Sequence, residues 1–388
     1  MLAGCSSEST IDDVEDITEG KDPMRFNIAR EGEAMLKDMT RAATPLTTGF
    51  MVSCYKAYNE TKQQVVMPQY QVNYHVTGDA WNGRIYSYWT YDDVKGQYLR
   101  YWDESAFPYR FHAIAPYPTN TSGFVLNDKE LTIPTPYYHQ TCVNGYVAPT
   151  DAEPHLVAQL QRNTDGTDHD IIADKDVNTT STTLNRDVEL PFHHLNSKIR
   201  FGVYTLAPWA SANKLYIKDL TIKVRSTNFA TQASGYHAST TETWRLEDAH
   251  AGFTGVEKTA IYSDPIFRFD GGEEVEGNDL RECQTKATAY FMQCPQGIMQ
   301  IPQKDVELTV SLDLYHDGIY QHFEDVPLRI ELEDQPGTYK YSFDWLSGYI
   351  HTYYLVIGEI ADKLEITFTA TLTPWEDISG SLSTDLEK

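Results

Sequence analysis

Along residues 188–204 the character of the chain changes at almost every step. Val188, Leu190 and Phe192 alternate with Glu189, Pro191 and His193, and then Ile199, Phe201 and Val203 alternate with Arg200, Gly202 and Tyr204. A repeat of two places every second side chain on one face, which suits a half-buried strand and not a helix. Asn196-Ser197 supplies turn chemistry between the two runs, and Pro191 suits an edge or a bulge. An Asp- and Thr-rich stretch precedes this segment and further strands follow it. It therefore predicts the start of a second β domain near the middle of a 388-residue chain, long enough for two cores.

The same periodicity recurs elsewhere. Phe50, Val52 and Cys54 alternate with Met51, Ser53 and Tyr55, and a short alternation runs through Met24-Arg-Phe-Asn-Ile28. Over residues 215–224, Leu215, Ile217, Asp219, Thr221 and Lys223 face away from Tyr216, Lys218, Leu220, Ile222 and Val224. Strands are also expected at 288–292 and 306–315. Leu364, Ile366, Phe368, Ala370 and Leu372 form the clearest run, ending at Pro374-Trp375. Residues 111–118 read as a strand stopped by prolines, and 122–188 as mostly long loops. No long stretch has helical periodicity, so the expectation is an all-β protein.

A formal net charge of −25 would repel a phosphate backbone, so no nucleic-acid partner is expected, and an acidic extracellular surface is the simpler reading. No apolar run approaches the ~20 residues a spanning helix requires. Leu2-Ala3-Gly4-Cys5 resembles a bacterial lipobox, although the charged and apolar regions of a secretory signal do not precede it. Either the start is truncated or Cys5 is an ordinary thiol. The polar, acidic residues 6–22 favour the lipobox, because they suit a tether between a lipidated Cys5 and a folded domain. Thr40-Arg41-Ala42-Ala43-Thr44-Pro45 reads as an exposed linker with a basic residue before small ones.

Residues 81–111 hold a dense aromatic cluster that includes Trp81, Tyr86, Tyr88, Trp89 and Trp102, with residues 92–96 as a hairpin loop. These rings could be a platform for stacking on glycan, or simply a sandwich core with half-exposed tyrosines. Cys54, Cys142, Cys283 and Cys294 can pair in three ways, and closeness in sequence favours Cys283 with Cys294. His193-His194 would project to opposite faces of a strand, which is poor geometry for a shared metal. Asp165-Gly-Thr-Asp-His-Asp170 departs from the EF-hand pattern and reads as a solvated acidic loop, as does 269–279. With no nucleophile elbow, phosphate loop or zinc-protease motif, neither an enzyme nor a cofactor is expected.

Taken together, these segments resemble the fimbrillin family, the type V pilins of Bacteroidales. The matching pieces are Leu2-Ala3-Gly4-Cys5, Thr40-Arg41-Ala42, residues 111–118, residues 188–203, Tyr353-Tyr-Leu-Val-Ile357, and Ile366 through Trp375. The resemblance implies two tandem transthyretin-like β-sandwich (Greek-key) domains behind an N-terminal tether and pro-segment. The corresponding divisions are 1–41, 42–186 and 187–388. It further implies an outer-membrane lipoprotein anchored through Cys5 and found at the cell surface in a fimbrium. An arginine-specific surface protease would cut between Arg41 and Ala42, with Arg25 and Arg30 as rival sites. Loss of the leading strand would open a groove for a strand of another fimbrial subunit, in a homo- or heteropolymer. The tail after Trp375 is short and polar, which leaves shaft, tip and anchor roles open and inclines toward a tip or accessory adhesin. The alternative is a non-polymerising outer-membrane lipoprotein that binds surface glycan.

Overall fold

The computed structural model describes residues 22–28, 49–57, 63–78, 85–128, 130–147, 156–206, 215–237, 253–254, 257–259, 262–271, 279–316, 319–332, 335–360 and 363–374. In chain order the strands begin with β1 (Phe26–Ile28), β2 (Phe50–Lys56), β3 (Gln64–Gly78), β4 (Ile85–Thr90) and β5 (Tyr109–Ala115). Next come β6 (Val125–Leu126), β7 (Glu130–Tyr138), β8 (Cys142–Val143), β9 (Tyr146–Val147), β10 (Leu156–Arg162), β11 (Asp168–Asp170) and β12 (Lys175–Val177). They are followed by β13 (Val188–Leu190), β14 (His193–His194), β15 (Ser197–Thr205), β16 (Leu215–Val224), β17 (Phe229–His237), β18 (Phe253–Thr254) and β19 (Glu257–Thr259). The series ends with β20 (Pro265–Asp270), β21 (Ile298–Gln300), β22 (Gln303–His316), β23 (Ile319–Pro327), β24 (Ile330–Glu331), β25 (Tyr339–Lys340), β26 (Ser342–Trp345), β27 (Tyr349–Ile360) and β28 (Lys363–Pro374). Among the described residues, helix is confined to short 3-10 turns such as Glu104–Ala106. The chain is nearly all β, as its alternation predicts.

An antiparallel sheet ordered β12-β11-β10-β5-β2-β3-β4, with β14 beside β10, organises the first half. Phe50, Val52, Cys54, Phe111, Ala113, Leu156 and Leu160 point from it into one core. Met51, Ile114 and Val157 point the other way, into a separate cluster with Leu126, Leu131, Ile133, Ala230 and Ala233. β2 and β10 are therefore covered on both faces, and burial along them is almost continuous. Residues 122–188, read from sequence as mostly long loops, contain seven strands from β6 to β12, five of them only two or three residues long and too short to show a period. β10, buried on both faces, gives no clean alternation in its sequence.

A second core lies between a sheet ordered β21-β15-β27-β28 and one ordered β23-β22-β16-β20-β8-β9. Phe201, Val203, Tyr353 and Leu355 pack there with Leu220, Ile222, Phe267 and Leu312. The outer face of β15 is covered as well, because Tyr204 joins Tyr354 and Val356 under Cys283, Ala289 and Phe291. Residues 125–147 pair across the chain, β7 with β17 and β8 with β20.

Three local readings change. In β16, Leu215 and Ile217 face the core together with Leu220 and Ile222. A bulge between Ile217 and Leu220 adds one residue and reverses the parity on which the alternation rested. Residues 92–96 do form a turn, but β4 pairs with β3, not with the segment after the turn. Around 288–292, expected to be a strand, there is a 3-10 turn at Lys286–Thr288 and a single bridge from Tyr290 to Val203.

Candidate strand-acceptor groove

Residues 22–28 occupy a slot between two segments remote in sequence. On one side the Met24 N–H donates to the Arg100 carbonyl at 2.7 Å and the Trp102 N–H donates to the Asp22 carbonyl at 3.0 Å. On the other side β1 pairs parallel with β13, Phe26 opposite Val188 and Ile28 opposite Leu190, and the Val188 N–H donates to the Arg25 carbonyl at 2.7 Å. The expected alternation holds here, with Met24 and Phe26 buried and Arg25 exposed. The Phe26 ring meets Phe50, Tyr91 and Phe111 edge-on, at centroid distances of 5.7, 5.8 and 6.1 Å. Aromatic contacts of this kind add to the gain from burying the side chain.

Tyr91 joins the two layers. Its hydroxyl donates to the Met24 carbonyl at 2.9 Å and accepts from the Arg100 N–H at 3.0 Å. Burial pushes its phenol well above the usual range, so it stays protonated and remains a donor. Arg100 reaches over the Tyr70 ring, its Nη2 2.6 Å from the Tyr70 hydroxyl.

The β13 side is set by a buried charge network. Arg162 donates to the carbonyls of Leu184, Arg186 and Asp187 at 3.2, 2.7 and 3.0 Å, which shapes the chain just ahead of Val188. It is held in turn by Asp168 and lies over the Trp102 ring at 5.0 Å. The Arg186 guanidinium reaches Asp168 at 2.7 Å, and its pKa is lowered by burial and then by Arg162 beside it. Asn178 donates to the Glu189 carbonyl at 3.3 Å. The loop expected to be solvated and acidic is thus partly core, with Asp168 and Asp170 fully buried, Asp170 paired to His193 at 2.7 Å.

The residues singled out from sequence are scattered. Cys5, Arg30, Arg41, Ala42, Trp81 and Trp375 lie outside the described residues, as does the side chain of Tyr86. Tyr88 is 50% exposed and stacks on His75 at 5.2 Å. Trp89 is half-buried against Phe50 and Tyr74. Trp102 is a core residue at 4% exposure, packed on Phe107, Tyr109 and Phe111. Sequence reasoning missed Arg162 with Asp168, which are cross-strand partners of the β10–β11 hairpin. An Arg and an Asp flanking the Asn-Thr-Asp-Gly-Thr turn were the available signal.

A family model described as fimbrillin-like matches residues 40–375. No curated protein matches the sequence. Among solved structures, a fimbrial protein from Bacteroides vulgatus is similar at 14% identity and TM-score 0.43, covering 92% of this chain and 100% of its own. The tip fimbrial protein Mfa3 from Porphyromonas gingivalis, with a C-terminal truncation, is similar at 9% identity and TM-score 0.29, covering 83% and 93%. With its family model spanning both cores, the chain belongs to the fimbrillin-like family.

Proposed function

We propose that this chain is a structural and adhesive subunit of a cell-surface fimbria, assembled by exchange of strands. Residues 22–28 hold the place that a strand of another subunit takes. An arginine-specific protease cutting after Arg41 releases them together with the tether that a lipidated Cys5 fixes to the outer membrane. The observation carrying this reading is the slot itself, a short terminal segment gripped by residues 100–102 and 188–190 and burying Met24 and Phe26. Its removal would leave unpaired backbone and apolar positions that folded sheets avoid unless a partner covers them. Cleavage after Arg25 would instead leave Phe26 in the groove, which favours Arg41 as the productive site.

The test is limited digestion of the full-length chain by a trypsin-like protease, alone and with cognate subunits, and with Arg41→Ala as control. Higher-order assembly is expected only for the cleavable form. If both forms stay monomeric with every cognate subunit present, the exchange mechanism is lost. The exposed Tyr88 surface would then be taken up as a glycan platform.

A further inference from the structure

Outside the groove, two buried thiols meet between the sheets of the second core. Cys142 is fully buried on β8, between β20 and the edge strand β9 of one sheet. Cys294, 2% exposed, lies in the turn leading to β21 at the edge of the other. Both belong to the same apolar cluster. The segments that carry them are fastened on either side of the pair. On one side the Gln140 N–H donates to the Met299 carbonyl at 2.9 Å, the Met299 N–H to Gln140 Oε1 at 2.8 Å, and Gln300 Nε2 to the Gln140 carbonyl at 2.7 Å. On the other, Gly145 approaches Gln293 so closely that a Cβ there would meet the Gln293 Cβ at 2.9 Å. Between these fastenings the two thiols hydrogen-bond to each other. Cys54 belongs to the first core, and Cys283 packs on the outer face of β15, so neither faces this pair. The pairing favoured by closeness in sequence, Cys283 with Cys294, is not the one the fold brings together.

We propose that Cys142 and Cys294 oxidise to a disulfide that staples the two sheets of the second core. The oxidant is a disulfide, either glutathione disulfide or that of a thiol–disulfide exchange protein. Cys294 is the attacking thiol, its pKa lowered first by the hydrogen bond from Cys142 and then by the Gly297 N–H and the charges of Arg200 and Lys198. Its sulfur attacks the oxidant, one oxidant thiol leaves, and a mixed disulfide forms. Cys142 then attacks the Cys294 sulfur and the second oxidant thiol leaves. Two protein thiols and one oxidant disulfide become one protein disulfide and two oxidant thiols, and two protons and two electrons pass to the oxidant. Since both thiols are buried in the finished fold, the reaction runs while the sheets close.

The full-length chain, reduced in denaturant and refolded with reduced and oxidised glutathione, provides the test. An unreduced digest should contain the Cys142 peptide joined to the Cys294 peptide, and alkylation in denaturant should label two fewer thiols than in a reduced control. The same link should survive Cys54→Ser and Cys283→Ser. Reduction should lower Tm by roughly 5 °C, as expected for opening a long covalent loop in a chain of this size. Full alkylation of every cysteine after refolding, or a link from Cys294 to Cys283, would overturn the proposal.

Discussion

Arg162 and Asp168 form a two-pronged ion pair from which water is excluded. Nε meets Oδ1 at 2.8 Å and Nη2 meets Oδ2 at 3.0 Å, with both side chains fully buried. The remaining donors of the same guanidinium hold the chain at residues 184–187, so one charge both closes the β10–β11 hairpin and places β13. Removing Arg162 would leave a buried carboxylate with Arg186 as its cation and strip three carbonyls of their donor. Arg162→Met should therefore destabilise the protein by about 3–5 kcal/mol. It should also speed amide exchange at Val188 and Leu190. Urea unfolding and hydrogen exchange measure both, and an unchanged midpoint would contradict this role.

Phe26→Ala should empty the middle of the groove. The loss is about 3 kcal/mol if the surrounding rings do not collapse inward. The more diagnostic readout is local. Arg25 is already exposed, and loosening β1 should speed native-state trypsin cleavage after it well before global unfolding. Cleavage at the wild-type rate would mean the Phe26 ring does not hold the segment.

The buried His112 and His351 and the half-buried His194 contribute to the response to acid. Burial lowers His112 to about 3, His194 to about 3 and His351 to about 4, with Arg110 and Lys198 adding to the first two. His351 must stay neutral, since its Nε2 accepts the Leu346 N–H at 3.0 Å. The native state thus binds fewer protons than the unfolded chain once the pH falls below about 6.5. Stability is fully present above that value and is lost as the pH falls toward the folded values, each histidine contributing up to about 1.4 kcal/mol per pH unit. Urea titrations between pH 4.5 and 7 should show this slope, and His351→Gln should flatten it. A slope identical to wild type would remove His351 from the account.

Gly166 sits at φ +84°, and a Cβ there would come within 1.8 Å of the Thr182 carbonyl oxygen. Its own carbonyl accepts from Arg186 at 2.7 Å, tying the turn to the charge network. Gly166→Ala should cost roughly 2–4 kcal/mol from left-handed strain and the displaced strand of backbone. Thermal unfolding would show it, and a wild-type Tm would mean the turn relaxes freely.

Alternation revealed β28, where Thr367 is exposed beside the buried Phe368, and also β2 and β15, which the fold covers on both faces. β28 reads correctly over Ile366, Phe368 and Ala370, whose face packs on the second core, while Leu372 farther along that face is exposed. The alternation of Met24 and Phe26 likewise disclosed the groove's own occupant. What stayed hidden has identifiable causes. β10, buried on both faces, gives no clean alternation, and the single extra residue in β16 reverses parity without any mark in composition. Asp168 and Asp170 looked like solvated acids because a charge does not announce its partner, and theirs are Arg162, Arg186 and His193. The walls of the groove at 100–102 and 188–190 lie far apart in sequence, and nothing local joins them.

That separation makes the seat of residues 22–28 a composite one, built from two distant parts of the chain. Met24 needs Arg100 and Tyr91 in place, while Arg25 and Phe26 need Val188. Neither wall alone offers the segment its full set of partners, and bringing the two walls together carries a loop-closure cost. Full seating of residues 22–28 therefore requires both walls at once, and a change that shifts either wall should loosen the same segment.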